Sequence, residues 1–172
     1  MKKIGITGSL ASGKSTASKI LSSNKRPLFS ADEVVRKLYA KNYFKKLISK
    51  KLKVRNSSTI KSQIREKIFA KKINLKKLES IIHPYVRKEM KSFIKKNYKK
   101  KLIFLEIPLL IESKLMKWFD VIFYIKAKKS IRLKRFRSKG GNKKFFHILN
   151  NKQLNDAKKI KFCDHIISNE KN

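Results

Sequence analysis

The sequence predicts an α/β fold in which a doubly wound parallel β-sheet is covered by helices. Short apolar runs recur along the chain, and segments with helical spacing separate them. The run Leu102–Ile107 (LIFLEI) is apolar except for one acid, as expected for a strand buried on both faces. Strands that alternate with helices favour a parallel sheet.

Five segments carry the strand pattern. They are Lys3–Thr7, Pro27–Phe29, Leu102–Ile107, Val121–Ile125 and His165–Ser168. Helical spacing is expected at Lys14–Ser23, throughout Glu33–Lys99, at Ser130–Arg137 and at Phe145–Lys159. Gly140 and Gly141 should end the third of these helical segments. A chain of 172 residues fits one domain, which we place at residues 1–172.

The formal charge of +36 has two interpretations. Clustered basic residues can neutralise nucleic-acid phosphates, or lysine can simply fill the solvated positions of a biased composition. The chain has 39 lysines against 8 arginines, whereas nucleic-acid readers draw more on the planar fork of arginine. We therefore predict no specific nucleic-acid partner and expect the field to favour anionic substrates.

A single cysteine, Cys163, excludes an internal disulfide and a CxxC site. It is expected to be a buried small hydrophobe. No apolar run reaches the roughly 18 residues of a membrane span, and the N-terminus does not have the pattern of a signal peptide. The expectation is a cytoplasmic protein with no membrane partner.

The segment Gly8–Ser15 (GSLASGKS) matches the Walker A pattern at every fixed position. Its glycines let the loop curl so that backbone N–H groups point at a phosphate chain, and the following helix adds the positive end of its dipole. Lys14 is expected to reach the β- and γ-phosphates, and the Ser15 hydroxyl to ligate Mg²⁺. The predicted ATP-binding residues of this segment are Gly8, Ala11, Ser12, Gly13, Lys14, Ser15 and Thr16.

Two acids lie near the ends of predicted strands, Asp32 just after the second strand and Glu106 within the third. Asp32 is a candidate base that accepts a proton from the attacking hydroxyl, or it is the N-cap of the next helix. Glu106 lies in an apolar run, where an unpaired acid is costly, and is a tentative metal ligand. Glu112 and Asp120 fit surface acids as well as functional ones.

A basic cluster precedes the two glycines. Arg132 and Arg135 share one helical face at i, i+3, so they could close over the transferring phosphate or form a solvated face. No group of His, Cys, Asp and Glu has zinc spacing, and Mg²⁺ brought in with ATP is the only metal predicted.

Several segments together resemble the dephospho-CoA kinase family over nearly the whole chain. They are Ile4–Thr16, Ser30–Asp32, Arg65–Phe69, Leu78–Arg87 (LESIIHPYVR), Ile107–Glu112 (IPLLIE), Gln153 and Cys163–Asn169. The His83-Pro84 and Pro108-Leu109-Leu110 segments are the ones that narrow the substrate.

The resemblance implies transfer of the γ-phosphoryl group of ATP to the 3′-hydroxyl of dephospho-CoA. It implies a P-loop fold with a five-stranded core, a helical acceptor-binding subdomain at about residues 36–99 and a lid at about 129–150. By the same resemblance Asp32 is the base and contacts the acceptor with Arg65 and His83. Arg135 is a catalytic lid arginine, and Asn169 lies near the adenine.

The chain departs from the family pattern at several positions. Ser9 and Ala11 replace loop glycines, Ser30 replaces an aspartate, Arg132 a glutamine and Lys139 an arginine. Two alternatives stay open: a P-loop kinase with another small acceptor, such as a nucleoside, nucleotide or shikimate-like molecule, and a basic nucleic-acid-binding module.

Overall fold

A computed structural model describes residues 1–23, 25–71 and 75–170. Its five strands form one sheet in the order β2-β3-β1-β4-β5, and every neighbouring pair is parallel. The strands are β1 Lys2–Gly8, β2 Leu28–Ser30, β3 Leu102–Glu106, β4 Val121–Lys126 and β5 His165–Ser168. The α/β fold and all five predicted strands are confirmed, with ends that shift by at most one residue.

The chain divides into two compact units. The first comprises Met1–Ala31 and Ile94–Asn172 and holds the whole sheet. Its helices are α1 Lys14–Ser22, α6 Lys129–Ser138, α7 Lys143–Lys152 and α8 Asp156–Ile160. The sheet centre is apolar because Ile4, Ile6, Phe104 and Ile125 pack together, and Ala17 and Leu21 of α1 lie against them.

The second unit, Asp32–Phe93, is helical. The segment Glu33–Lys99, expected to be helical throughout, forms four helices in its described residues: α2 Ala31–Ala40, α3 Asn42–Leu52, α4 Ile60–Phe69 and α5 Leu75–Lys96. The helical character of this segment is confirmed, and breaks divide it, since Lys41 adopts an extended conformation and Lys53 a left-handed one. Its core includes the ring of Phe44, which makes edge contacts with Tyr39 and Tyr85.

The helix expected over Phe145–Lys159 is also two helices. Gln153 is extended, with φ −84° and ψ 152°, and it ends α7. The side chain of Asn155 then accepts a hydrogen bond from the Lys158 N–H and caps α8. Periodicity missed the break because Asn and Gln are tolerated in helices, whereas the Asn side chain can also replace the helical hydrogen bond at a new N-terminus.

The break expected at Gly140 and Gly141 is confirmed. Helix α6 ends at Ser138, and Gly140 takes a left-handed φ of 79°. In the part of the chain that the structure describes, no helix is long and apolar enough to cross a bilayer.

Candidate active site

The loop between β1 and α1 contains two glycines that the surroundings require. Gly8 has φ 153°, and a Cβ there would lie 2.5 Å from the backbone oxygen of Ile125. Gly13 has φ 92°, and its Cβ would lie 2.1 Å from Nδ2 of Asn169. A side chain at Gly8 would displace the backbone of β4, and one at Gly13 would displace the side-chain amide of Asn169. Ala11 adopts φ 59°, a left-handed conformation that costs a non-glycine residue about 1 kcal/mol.

Lys14 and Ser15 lie at the start of α1 with their polar atoms engaged. The Lys14 ammonium is buried, with 7% of the residue exposed, and donates a 2.9 Å hydrogen bond to the Ser9 carbonyl. Thr16 follows in the first turn and is exposed. This turn contains no acidic residue, so its N–H groups and the lysine charge keep a positive field at the loop.

Glu106 is the buried acid at the end of β3, and only 2% of it is exposed. Its Oε1 accepts a 2.7 Å hydrogen bond from the Ser15 hydroxyl. This contact explains how an acid is tolerated in the apolar run, because a buried carboxylate is strongly destabilising unless it is hydrogen-bonded. A hydroxyl and a carboxylate on adjacent elements are oxygen ligands of the kind Mg²⁺ prefers, so this pair fits the metal.

Arg135 and Asn169 meet on the other side of the loop. Asn169 Nδ2 donates to the Ser12 carbonyl at 2.9 Å, and Arg135 Nη1 donates to the backbone oxygens of Asn169 at 3.0 Å and Ser12 at 3.4 Å. The Asn169 N–H donates to Lys126 O, which ties the segment to the end of β4. The structure therefore brings these two predicted site residues to the same loop carbonyl.

Arg132 is buried, although its position on a basic helical face made a solvated side chain one of two expectations. It is not solvated, since 4% of it is exposed and its guanidinium lies 5.8 Å from the centre of the Phe146 ring. Nε donates to Ala127 O at 3.2 Å, and Nη1 donates to Asn150 Oδ1 at 2.7 Å and to Leu10 O at 3.3 Å. The solvated-face interpretation of Arg132 was wrong. Burial next to an aromatic ring and a ready set of oxygen acceptors explain the difference.

Three further polar residues contact the loop. Gln153 Oε1 accepts from the Leu10 N–H at 3.1 Å, and the Ser9 hydroxyl donates to Asp156 Oδ1 at 2.5 Å. The hydroxyls of Ser9 and Tyr124 are 3.0 Å apart, and burial raises the pKa of the Tyr124 phenol. Sequence reasoning gave Gln153 only by resemblance and did not find the other two. No local pattern marks them, because Asp156 is about 150 positions from its partner in the chain.

Glu112, Asp120 and Cys163 each have a hydrogen-bond partner within the protein, which for the Cys163 thiol is the Lys159 carbonyl. Glu112 is paired with the fully buried Lys159 at 2.7 Å and accepts the Leu154 N–H, so the surface-acid alternative was wrong for Glu112. Asp120 is exposed and accepts the Lys3 N–H at 2.7 Å. Cys163 is half-buried, and burial raises its pKa to about 11. That thiol stays protonated at neutral pH.

The other predicted site residues lie in the helical unit. Asp32 is exposed in the first turn of α2, which begins at Ala31, so Asp32 is not the N-cap. It follows Ser30 by two residues, and Ser30 is the register partner of Glu106 in the sheet. Arg65 is exposed on α4, and His83 is half-buried inside α5. Burial, and then the charge of Arg87, lower the pKa of His83, which favours the neutral imidazole.

Comparisons with known proteins bear on which acceptor such a site serves. A model of the dephospho-CoA kinase family matches residues 2–172. A protein of Bartonella quintana named dephospho-CoA kinase is 36% identical over 176 residues, with 99% of this chain and 90% of that protein covered. A solved dephospho-CoA kinase from Campylobacter jejuni is 26% identical, with a TM-score of 0.64 over 100% of this chain and 90% of that one.

The fold is also similar to that of a shikimate kinase from Acinetobacter baumannii. That structure has a TM-score of 0.60 at 16% identity and covers 100% of this chain and 86% of its own. At this identity the likeness concerns the fold alone, so the choice of acceptor depends on the family match.

Proposed function

This chain belongs to the dephospho-CoA kinase family, and we propose that its residues carry out transfer of the ATP γ-phosphoryl group to the 3′-hydroxyl of dephospho-CoA. CoA and ADP are the products. The observation that carries the proposal is the family match over residues 2–172 in a chain whose phosphate loop keeps Lys14 buried beside a Ser15–Glu106 pair.

The loop binds the phosphates of ATP through its backbone N–H groups at Ala11–Thr16 and through Lys14. In the transition state of phosphoryl transfer, charge is spread over the equatorial oxygens of the transferred group. A buried ammonium is more effective there than an exposed one because the local dielectric is low. Lys14 therefore stabilises the transition state as well as the bound nucleotide.

Magnesium entering with ATP would be held by the Ser15 hydroxyl and, directly or through water, by Glu106. When bound, Mg²⁺ neutralises charge on the β- and γ-phosphates. The Ser15–Glu106 hydrogen bond of 2.7 Å supports this assignment, because it fixes the hydroxyl and the carboxylate next to each other. Replacing Glu106 with Gln should raise the Mg²⁺ concentration needed for half-maximal rate. The melting temperature measured without Mg²⁺ is the control, and it should change little.

The acceptor side is assigned to the helical unit. Asp32 takes the proton of the 3′-hydroxyl as its oxygen attacks the γ-phosphorus, and the bond to the ADP oxygen breaks. Arg65 and His83 bind dephospho-CoA. The exposure of Asp32 and Arg65 supports roles toward an incoming molecule, since neither is committed to the core. Arg135 acts at the transferring phosphate from a lid at about residues 129–150, and Asn169 lies near the adenine.

The net charge of +36 suits this pair of substrates. ATP and dephospho-CoA are both anionic, and a positive field raises their encounter rate in a salt-dependent manner. Binding to DNA should be weak and insensitive to sequence, with a Kd of roughly 10⁻⁴ to 10⁻⁶ M at physiological salt.

The test is ADP release with Mg-ATP and a panel of acceptors. Dephospho-CoA should support turnover and be converted to CoA, while nucleosides, nucleoside monophosphates and shikimate should not. Phosphorylation of one of those molecules with dephospho-CoA inert would contradict the proposal.

A further inference from the structure

The first half of the phosphate loop is held from outside by three side chains, which we name the loop clamp: Arg132, Gln153 and Asp156. Their contacts fall on two consecutive loop residues, Ser9 and Leu10, and each side chain contacts a different polar group there. Arg132 donates to the Leu10 carbonyl, Gln153 accepts from the Leu10 N–H, and Asp156 accepts from the Ser9 hydroxyl. The backbone N–H and C=O groups of Leu10 and the side-chain hydroxyl of Ser9 are thereby fixed.

Two members of the clamp, Arg132 and Gln153, also have contacts outside the loop. Arg132 is also held by Ala127 O and Asn150 Oδ1, and it lies against the ring of Phe146. Gln153 Oε1 is 3.5 Å from Nζ of Lys159, which in turn pairs with Glu112. Because their other contacts hold these side chains in place, they can impose a position on the loop.

The loop residue directly after the clamped segment has a left-handed conformation although it is not a glycine. Ala11, directly after Leu10, is kept at φ 59°, a region that an alanine avoids in a free chain. A strained conformation of this kind persists only where surrounding contacts over-determine it. Immediately before Ala11, the clamp supplies the side-chain contacts of the Leu10 backbone and one contact of the Ser9 hydroxyl, while Lys14 and Tyr124 also contact Ser9.

We propose that Arg132, Gln153 and Asp156 are positioning residues that hold Ser9–Ala11 in the conformation that receives the ATP phosphates. They act through the loop backbone and not by touching nucleotide. The consequence is specific: loss of a clamp contact weakens binding of the phosphate chain and leaves binding of the nucleoside part unchanged.

A double-mutant cycle tests the Ser9–Asp156 contact. Ser9→Ala and Asp156→Ala should each raise the Kd for ATP by roughly fivefold to tenfold, as expected for one lost hydrogen bond at the loop. The double variant should be no weaker than Ser9→Ala, because Ser9→Ala already removes the contact with Asp156 together with the contact with Tyr124. Adenosine, measured by competition, should bind all four proteins equally. Additive effects on ATP, or equal losses for ATP and adenosine, would overturn the proposal.

Arg132 gives the second test. Arg132→Met should raise the Kd for ATP by roughly tenfold or more, since a charge-assisted contact is lost. Arg132→Lys should recover little of this, because an ammonium does not reproduce the planar fork that contacts several oxygens. Arg26→Met is the matched control, with the same change of charge at an exposed position of the same unit. Full recovery by Lys, or the same loss in the Arg26 control, would show that only net charge matters and would contradict the clamp.

Discussion

The two units hold their polar site residues in opposite ways. In the sheet-containing unit, Lys14, Glu106 and Arg132 are buried and each has a hydrogen-bond partner within the unit. In the helical unit, Asp32 and Arg65 are exposed and His83 is half-buried. The first unit therefore holds these charges in place before any nucleotide arrives, whereas two of the three residues assigned to the acceptor have exposed side chains.

This difference follows from the tasks proposed for the two units. Phosphoryl transfer develops charge that is best stabilised by dipoles and cations already in place, because reorganisation then costs little. Such charges have to be buried, and buried charges need partners. An acceptor is instead recognised by side chains that exchange water for ligand, so changes there should affect KM for the acceptor more than the fold.

The largest expected effect tests Asp32. Asp32→Asn keeps the size of the side chain but removes the proton acceptor, so kcat should fall by roughly 10²–10⁴ while ATP affinity stays near normal. Stability should change by at most about 1 kcal/mol, the contribution of an acid in a first helical turn. The measurements are steady-state kinetics and thermal unfolding. Glu33→Gln, one residue later and also exposed, is the control. Near-normal turnover in Asp32→Asn would leave the base unassigned.

Replacement of Lys14 should give the next largest effect, because Lys14 contacts the phosphates both in bound ATP and in the transition state. Lys14→Ala removes the buried cation at the loop, so kcat should fall by roughly 10²–10³ and ATP binding should weaken. Lys19→Ala, an exposed lysine of the same helix, should leave both quantities unchanged. If the two variants behaved alike, the buried charge would have no special role and the contrast between the units would fail.

Arg65 tests the acceptor side. Arg65→Ala should raise KM for dephospho-CoA by roughly 10- to 100-fold, the range of a lost charge-assisted hydrogen bond, with KM for ATP unchanged. Arg55→Ala removes another exposed arginine of the same unit and should change neither constant. A rise in KM for ATP in Arg65→Ala would show that Arg65 contributes to ATP binding and would contradict its assignment to the acceptor.

The smallest effect concerns stability and His83. Burial lowers the folded-state pKa of this imidazole below the usual 6.5, so the unfolded chain takes up its proton first as pH falls. Stability should therefore decrease as pH drops from about 6.5 toward the folded-state pKa. His83→Gln should show less of this decrease in urea unfolding at pH 7.5 and 5.5. An identical decrease in both proteins would contradict a neutral His83.

Local sequence was sufficient for the strand–loop–helix unit around Gly8–Ser15. The glycine positions, the lysine and the serine lie within eight residues, and backbone sterics give such a segment few other conformations. Strands β1, β3 and β4 were equally readable because burial in a parallel sheet leaves apolar runs, whereas β2 is short and β5 is largely exposed. Family membership followed from segments spread over the whole chain.

Only the tertiary structure decided what holds the loop. Arg132 looked like one of two arginines on a basic face, and Gln153 and Asp156 lay in a segment predicted to be continuous helix. The break at Gln153–Asn155 precedes the carboxylate that contacts Ser9, and the same region supplies partners to Leu10 and Glu112. These contacts join residues more than 40 and up to about 150 positions apart. Hydrogen bonds at such separations depend on where folded elements come to lie, and helical or strand periodicity carries no information about that.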